Sequence, residues 1–478
     1  MRVSHSELGT VTLGTLFVYL FSADWLVAAS LLVLWAIWKL TATDDRMYVL
    51  PLALTFQWAQ STLGLFYSSL FGRAVQTMER SNYRPMVIVG LGCCLALAIG
   101  LFLGIRLLKE RGGDDDRPEF AFSFKLLVIV YVTTIILEGS LNTIVRAYPS
   151  FRQIVQTFDE ARLGVLYLLF RRLYRPVPRW GVIAGIAGFE VTLGITGFFA
   201  GFREPLVLAG LGMLEIFDRR NARHWAAATV VTVAGIGIGL IWMGIRDEYR
   251  RDYVQEDSFR TDRSKRISRI SDLTRDFLSS DVEDFWITAD NFVDRMWPIY
   301  YPALAMQRVP AVLPHTDGKL MTTALEHITM PRVFFPDKGA LISDSEMVRK
   351  YSGVYVAGAE TGTSIAFGYA AESYIDYGLP WMFAPVFCYA LLMGLAYRFF
   401  TRTLHHRELL VGYCTVTFWL GLYLFERSWA RTLGESLALI VYVGLPLLLI
   451  DRVLLIKRES KNRQESELLF SPTGTSPY

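Results

Sequence analysis

Arg203 and Glu204 stand in the short stretch GFREP (201–205), which joins two apolar runs with almost no polar linker. A charge at such depth is costly and either faces a cavity or snorkels to the interface. Farther along, MPRVFFPDKG (330–339) gathers Arg332, Asp337 and Lys338 around two prolines and two phenylalanines. Pro331 and Pro336 fix backbone angles and discourage helix there. Phe334 and Phe335 are expected to bury against the membrane-facing surface and to hold Arg332 and Lys338 near the lipid headgroups. Guanidinium groups match phosphate oxygens two at a time, and lysine adds a point charge. Arg203, Arg332, Lys338 and Arg295 are therefore candidates for one cationic pocket, with Glu204 beside it. Such a pocket suits a lipid-linked phosphate or diphosphate.

One more charge stands out. Glu190 lies in the middle of GVIAGIAGFEVTLGITGFF. A carboxylate inside an apolar run is a functional candidate by default. The other reading, a protonated group hydrogen-bonded within a helix bundle, stays open.

These residues need elements to position them. The chain is 53% hydrophobic and only 19% charged, with a mean hydropathy of +0.33. Ordinary soluble domains carry about 25% charged residues. The expected class is an all-α integral membrane protein. A bilayer core takes about 20 apolar residues per helix. Apolar runs at 8–22, 24–40, 47–72, 85–106, 120–143, 180–200, 204–218, 223–245, 379–399, 408–424 and 433–456 predict about eleven spans. The first run reads as a retained span, since no basic leader and cleavage site precede it.

The expected organisation is an N-terminal bundle (1–245), one long extracytoplasmic loop (246–378), C-terminal spans (379–456) and a disordered cytoplasmic tail (457–478). Lysine and arginine bias sets the orientation. The tail and the loops at 400–407, 219–223, 146–179 and 73–84 should be cytoplasmic. The long loop and the connections at 201–203 and 425–432 should lie outside. Residues 150–178 read as an amphipathic cytoplasmic helix, lying at the interface or packed on the bundle. A net charge of +3 spread over short loops makes no case for nucleic acid. Cys93, Cys94, Cys388 and Cys414 all fall in apolar segments and show no metal-ligand spacing. No cofactor is implied.

In order of features the sequence resembles the Wzy-like polymerases of O-antigen and exopolysaccharide repeat units. The resemblance covers roughly residues 120–400. It rests on GFRE between two spans, a long external loop, then PRVFFPDKG and TSIAFGYAAESYIDYG followed by further spans. It implies a metal-independent membrane glycosyltransferase of the GT-C type in the bacterial cytoplasmic membrane. Such an enzyme joins polyprenyl-diphosphate-linked oligosaccharides on the external face, alongside a flippase and a chain-length regulator. Carried onto this chain, Arg203 and Arg332 would contact the diphosphate, with Lys338 a direct or supporting partner. Glu372 in AAESY or His327 in EHITM would assist the acceptor hydroxyl as a base. A loop histidine with a purely structural role is the other reading of His327.

Three rivals remain at this level. A ligase of the same architecture would share the donor chemistry and differ only in its acceptor. A transporter or flippase should carry inverted repeats and several intramembrane charges, and no repeat is visible in the sequence. A non-enzymatic envelope scaffold would not need arginines at a common depth.

Overall fold

The computed structural model describes residues 5–43, 47–108, 122–196, 201–218, 220–255, 262–330, 334–335, 337–358 and 364–470. Among them the chain is helical, without strands. The helices in order are α1 (His5–Ser22), α2 (Trp25–Thr41), α3 (Val49–Phe71), α4 (Gln76–Arg80), α5 (Tyr83–Leu107), α6 (Phe124–Ala147) and α7 (Arg152–Tyr174). There follow α8 (Trp180–Ile195), α9 (Arg203–Glu215), α10 (Ala222–Gln255), α11 (Arg263–Leu278), α12 (Val282–Met296), α13 (Tyr300–Arg308) and α14 (Lys319–Thr329). The last are α15 (Asp344–Ser352), α16 (Tyr369–Tyr377), α17 (Phe383–Thr403), α18 (Arg407–Leu422), α19 (Trp429–Ala438) and α20 (Leu445–Phe470), with one π turn, Leu439–Gly444, between the last two.

Five stretches among the described residues are long and apolar enough to cross a membrane: Tyr83–Leu107, Phe124–Val145, Ala222–Tyr253, Phe383–Thr403 and Trp429–Lys457. Three shorter helices, in α1, α2 and α8, are also apolar. Length and hydropathy thus qualify five of the expected eleven runs. The other runs do not reach that length and hydropathy among the described residues. α9 has 13 residues and rises about 20 Å, well under the ~30 Å of a bilayer core. α3 is long, but its buried residues include Gln57, Gln60, Ser61 and Thr62.

α5 and α17 run side by side in the same direction. A Cβ built on Gly92 would meet the Phe383 ring, one on Gly100 would meet the Phe387 carbonyl, and one on Gly104 would meet the Leu391 carbonyl. Small residues four apart let two backbones approach this closely. Their parallel course defines two ends of the bundle. At one end, which holds Tyr83 and Phe383, Arg84 pairs with Asp24 at 2.8 Å. At the other, Arg398 donates to the Leu108 carbonyl, Glu408 accepts from the Phe122 N–H, and His405 and His406 meet Asp451.

Two expectations change. Basic-residue counting puts the 73–84 connection on the opposite side from the long polar segment, yet both share one end. Arg73 pairs with Asp290 of α12 at 2.6 Å, Tyr67 donates to the same carboxylate, and Asp294 accepts the Thr77 N–H. The counting fails here because Arg73 answers a carboxylate of the protein rather than a membrane potential. Residues 150–178 form α7, which packs on α6, α9 and α18. It buries Leu166, Tyr167, Leu169, Phe170 and Leu173, so of the two readings of this helix the packed one describes it.

The long polar segment is a set of helices, α11 to α16, and α10 runs into it without a break at 246. Glu190, the mid-run acid, is 2% exposed and is held by Arg162 at 2.5 Å and by the Tyr131 hydroxyl. It is a bundle ion pair. Cys93, Cys94 and Cys414 are buried and Cys388 is exposed, with no disulfide among the described residues.

Candidate functional site

The site grows from the loop after α18, residues 423–428. Buried polar groups of α3 hold it from below. Gln60 accepts the Phe425 N–H at 2.9 Å, and Gln57 donates to the Leu422 carbonyl. The Tyr369 hydroxyl donates to Gln57 at 2.5 Å, and the Tyr369 N–H donates to the Arg427 carbonyl at 2.7 Å. Gly368, at φ +89°, allows this contact, because a Cβ there would lie 2.3 Å from the Phe425 carbonyl.

On this loop stand Tyr423, Glu426 and Arg427. Arg427 pairs with Glu435 of α19 at 2.7 Å, with side chains only 11% and 12% exposed. It also donates to the Leu420 carbonyl and lies over the Tyr423 ring. Tyr423 donates to Glu204 at 3.2 Å, which fastens the start of α9 to the loop. Arg295 reaches Glu426 at 3.1 Å from α12. Glu160 of α7 is within electrostatic reach of Glu435 and Arg427.

Arg203 opens α9 in the middle of this group. Its electrostatic neighbours are Tyr423, Glu204, Glu426 and Arg427. Burial works against its charge, but Tyr423 and the two carboxylates outweigh it and hold the guanidinium above its ordinary value. Yet Arg203 makes no hydrogen bond and no ion pair among the described residues. A guanidinium carries five N–H donors in a planar fork, a geometry that matches phosphate oxygens two at a time.

The sequence candidates fall around this point unevenly. Arg203, Glu204 and Arg295 meet through Tyr423 and Glu426. Glu372, on α16, is 3% exposed. One of its oxygens accepts the Trp429 N–H at 2.8 Å, and the other has no partner among the described residues. Ser373 beside it takes the Trp429 indole N–H. The resemblance sets Glu372 against an acceptor hydroxyl. The structure places it against the loop that carries Glu426 and Arg427, through the Trp429 N–H. Lys338 donates to the His327 and Met330 carbonyls at 2.8 and 2.6 Å, closing the last turn of α14. His327 meets Lys338 through its backbone, one residue before Ile328, which lies against α19 at Gly434. Phe334 and Phe335, expected to be buried against the membrane surface, are 76% and 48% exposed in the chain itself. Arg332 lies outside the described residues.

Tyr423, Glu426, Arg427, Glu435 and Glu160 were missed from sequence. A signal existed for Glu435, since it falls inside the apolar run 433–456, where an acid marks a partner or a cavity.

Glu372 yields a pH prediction. Burial pushes its carboxyl from 4.5 up to about 8. Between those values the folded chain keeps a proton that the unfolded chain has lost. Stability should therefore fall as pH rises through this window, by at most about 1.4 kcal/mol per pH unit, and level off above it. Glu372→Gln keeps an acceptor for Trp429 and removes the titration. Thermal unfolding of both proteins in detergent, at intervals from pH 5 to 9, should show a flatter profile for the variant. Parallel profiles would mean that Glu372 is ionised throughout.

Comparison of the chain with family models, curated proteins and solved structures gave no match in any of the three.

Proposed function

We propose that the protein is a membrane glycosyltransferase that polymerises polyprenyl-diphosphate-linked oligosaccharide repeat units, forming O-antigen or exopolysaccharide on the external face of a bacterial cytoplasmic membrane. The observation that carries the reading is Arg203, a half-buried guanidinium without a partner among the described residues, at one end of a bundle with membrane-length helices. The order of sequence motifs around it agrees.

In this reading the diphosphate of a lipid-linked donor chain accepts hydrogen bonds from Arg203. Arg427, already tied to Glu435, adds positive potential from behind. A hydroxyl of a second lipid-linked unit attacks the anomeric carbon of the donor. The anomeric C–O bond breaks and its electron pair leaves with the diphosphate, where Arg203 meets the growing charge. The hydroxyl proton passes to a carboxylate. Glu204, fixed by Tyr423, is the carboxylate whose charge Arg203 feels most. Glu372 supports the loop from below, and Lys338, which closes the last turn of α14, would approach the donor from that side; Arg332 keeps the diphosphate-binding role that the resemblance implies.

The test uses the full chain in proteoliposomes with a polyprenyl-diphosphate oligosaccharide as the sole substrate. A ladder of lipid-linked glycans, spaced by one repeat unit, is expected. Absence of a ladder, with the labelled lipid crossing the bilayer instead, would overturn the polymerase in favour of a transporter.

A further inference from the structure

A second place on the molecule carries ligand chemistry, at the end of the bundle opposite the proposed site. α18 separates the two, and its 16 residues rise roughly 24 Å. There a cavity of about 520 Å³ is lined by Thr403, His405, Asp451 and one stripe of α20. That volume lies within the ~300–1,000 Å³ of small-ligand sites.

The stripe is Leu448, Leu449, Arg452, Leu455 and Ile456, at the spacing of a single helix face. Leu449 and Ile456 are 68% and 60% exposed. The stripe is apolar except for Arg452, which is exposed and has no carboxylate or hydrogen-bond partner among the described residues. The one acid in the cavity is already answered. Asp451 accepts the His405 and His406 N–H groups at 3.0 and 2.9 Å, and both imidazole Nδ1 atoms lie within 3.1 Å of it. This leaves Nε2 of His405 as the polar atom of that ring not turned to Asp451. The cavity therefore offers a cation among apolar side chains, toward the end of a membrane-length helix.

We infer that this cavity seats the headgroup phosphate of an anionic phospholipid, with its acyl chains along the leucines of α20. A lipid fits better than a free anion because apolar side chains flank the cation on both sides along the helix. It fits better than a second protein because a lone arginine on an apolar helix face would be left unpaired in a dry interface. A basic pocket between helices at one membrane surface has this chemistry. The inference does not depend on the proposed glycosyltransferase activity.

The experiment is native mass spectrometry of the delipidated full chain, titrated with phosphatidylglycerol, with phosphatidylcholine, and with inorganic phosphate as competitor. Phosphatidylglycerol should bind at lower concentration than phosphatidylcholine. Arg452→Gln should weaken it about tenfold or more, the effect of losing one charge-assisted contact, and His405→Gln should weaken it less. Equal retention of the two lipids would overturn the proposal, as would unchanged binding by Arg452→Gln. Displacement of the lipid by millimolar phosphate would overturn it in favour of a free-anion site, and a switch from monomer to dimer in place of lipid adducts in favour of a protein interface. A matched unfolding temperature for wild type and variants keeps misfolding from imitating the expected result.

Discussion

Arg203→Ala should lower the polymerisation rate at saturating donor by about 10²–10³-fold, the usual effect of removing one donor that meets developing charge. Its unfolding temperature should stay close to wild type. The separation follows from geometry. Arg203 makes no hydrogen bond within the described chain, so removing it strands no partner. Glu204 keeps its Tyr423 hydrogen bond and Glu426 keeps Arg295. Arg203→Lys should recover little, because an ammonium holds the charge but lacks the planar fork that meets two phosphate oxygens. The loss should appear in kcat, since the leaving diphosphate gains its charge as the bond breaks. Arg427→Ala is the informative contrast. It leaves Glu435 buried without its cation and should cost about 3–5 kcal/mol of stability along with activity. Initial rates across donor concentrations, with unfolding measured on the same preparations, decide the matter. Wild-type kcat in Arg203→Ala would make this arginine structural and remove the support for a donor site at α9.

Much of this arrangement was readable in the sequence, and the parts that were not have identifiable causes. Apolar runs marked where helices lie, because burial in lipid or in protein demands the same composition. They could not say which helices cross. The buried amides of α3 belong to the floor of the site, and they lower its hydropathy below that of its neighbours. Arg203 and Glu204 stood out because charge at the head of an apolar run is costly. Their partners did not, since Tyr423 and Glu426 come over 200 positions later in a connection that looks like a plain turn. Glu372 was visible as an acid near a helix, but the N–H it accepts belongs to Trp429. Reading Arg73 as a topology signal separates the 73–84 connection from the long polar segment, when Arg73 in fact pairs with Asp290 of that segment. Pairings that join distant segments have no local periodicity, and they hold most of the site.

A stability effect of similar size should come from a residue with no polar chemistry. Gly100 and Gly104 face Ala390, Leu391 and Gly394 where α5 and α17 run together. A Cβ on Gly104 would lie 2.3 Å from the Leu391 carbonyl oxygen and 2.9 Å from the Gly394 Cα. Both are backbone atoms, so no rotamer change relieves the clash and the two helices must separate. Gly104→Val should therefore cost about 3 kcal/mol or more, the upper part of the range for overpacking. Lipid cannot repair the gap by hydrophobic force, because association of membrane helices depends on close packing itself. Gly92→Ala sets the scale. Its Cβ would meet the Phe383 ring at 2.7 Å, a side chain that can turn aside, so the loss should be smaller. Gly14→Ala should be neutral, since nothing lies within 4 Å of its Cβ. The damage should also reach the site. α16, which bears Tyr369 and Glu372 under the loop, leads directly into α17, and a displaced α17 pulls on both. Unfolding temperature and the fraction monodisperse in detergent should rank Gly14→Ala, Gly92→Ala and Gly104→Val in descending order. A Gly104→Val protein as stable as wild type would mean that the two backbones do not lie in contact, and that the site is held by the 423–428 loop alone.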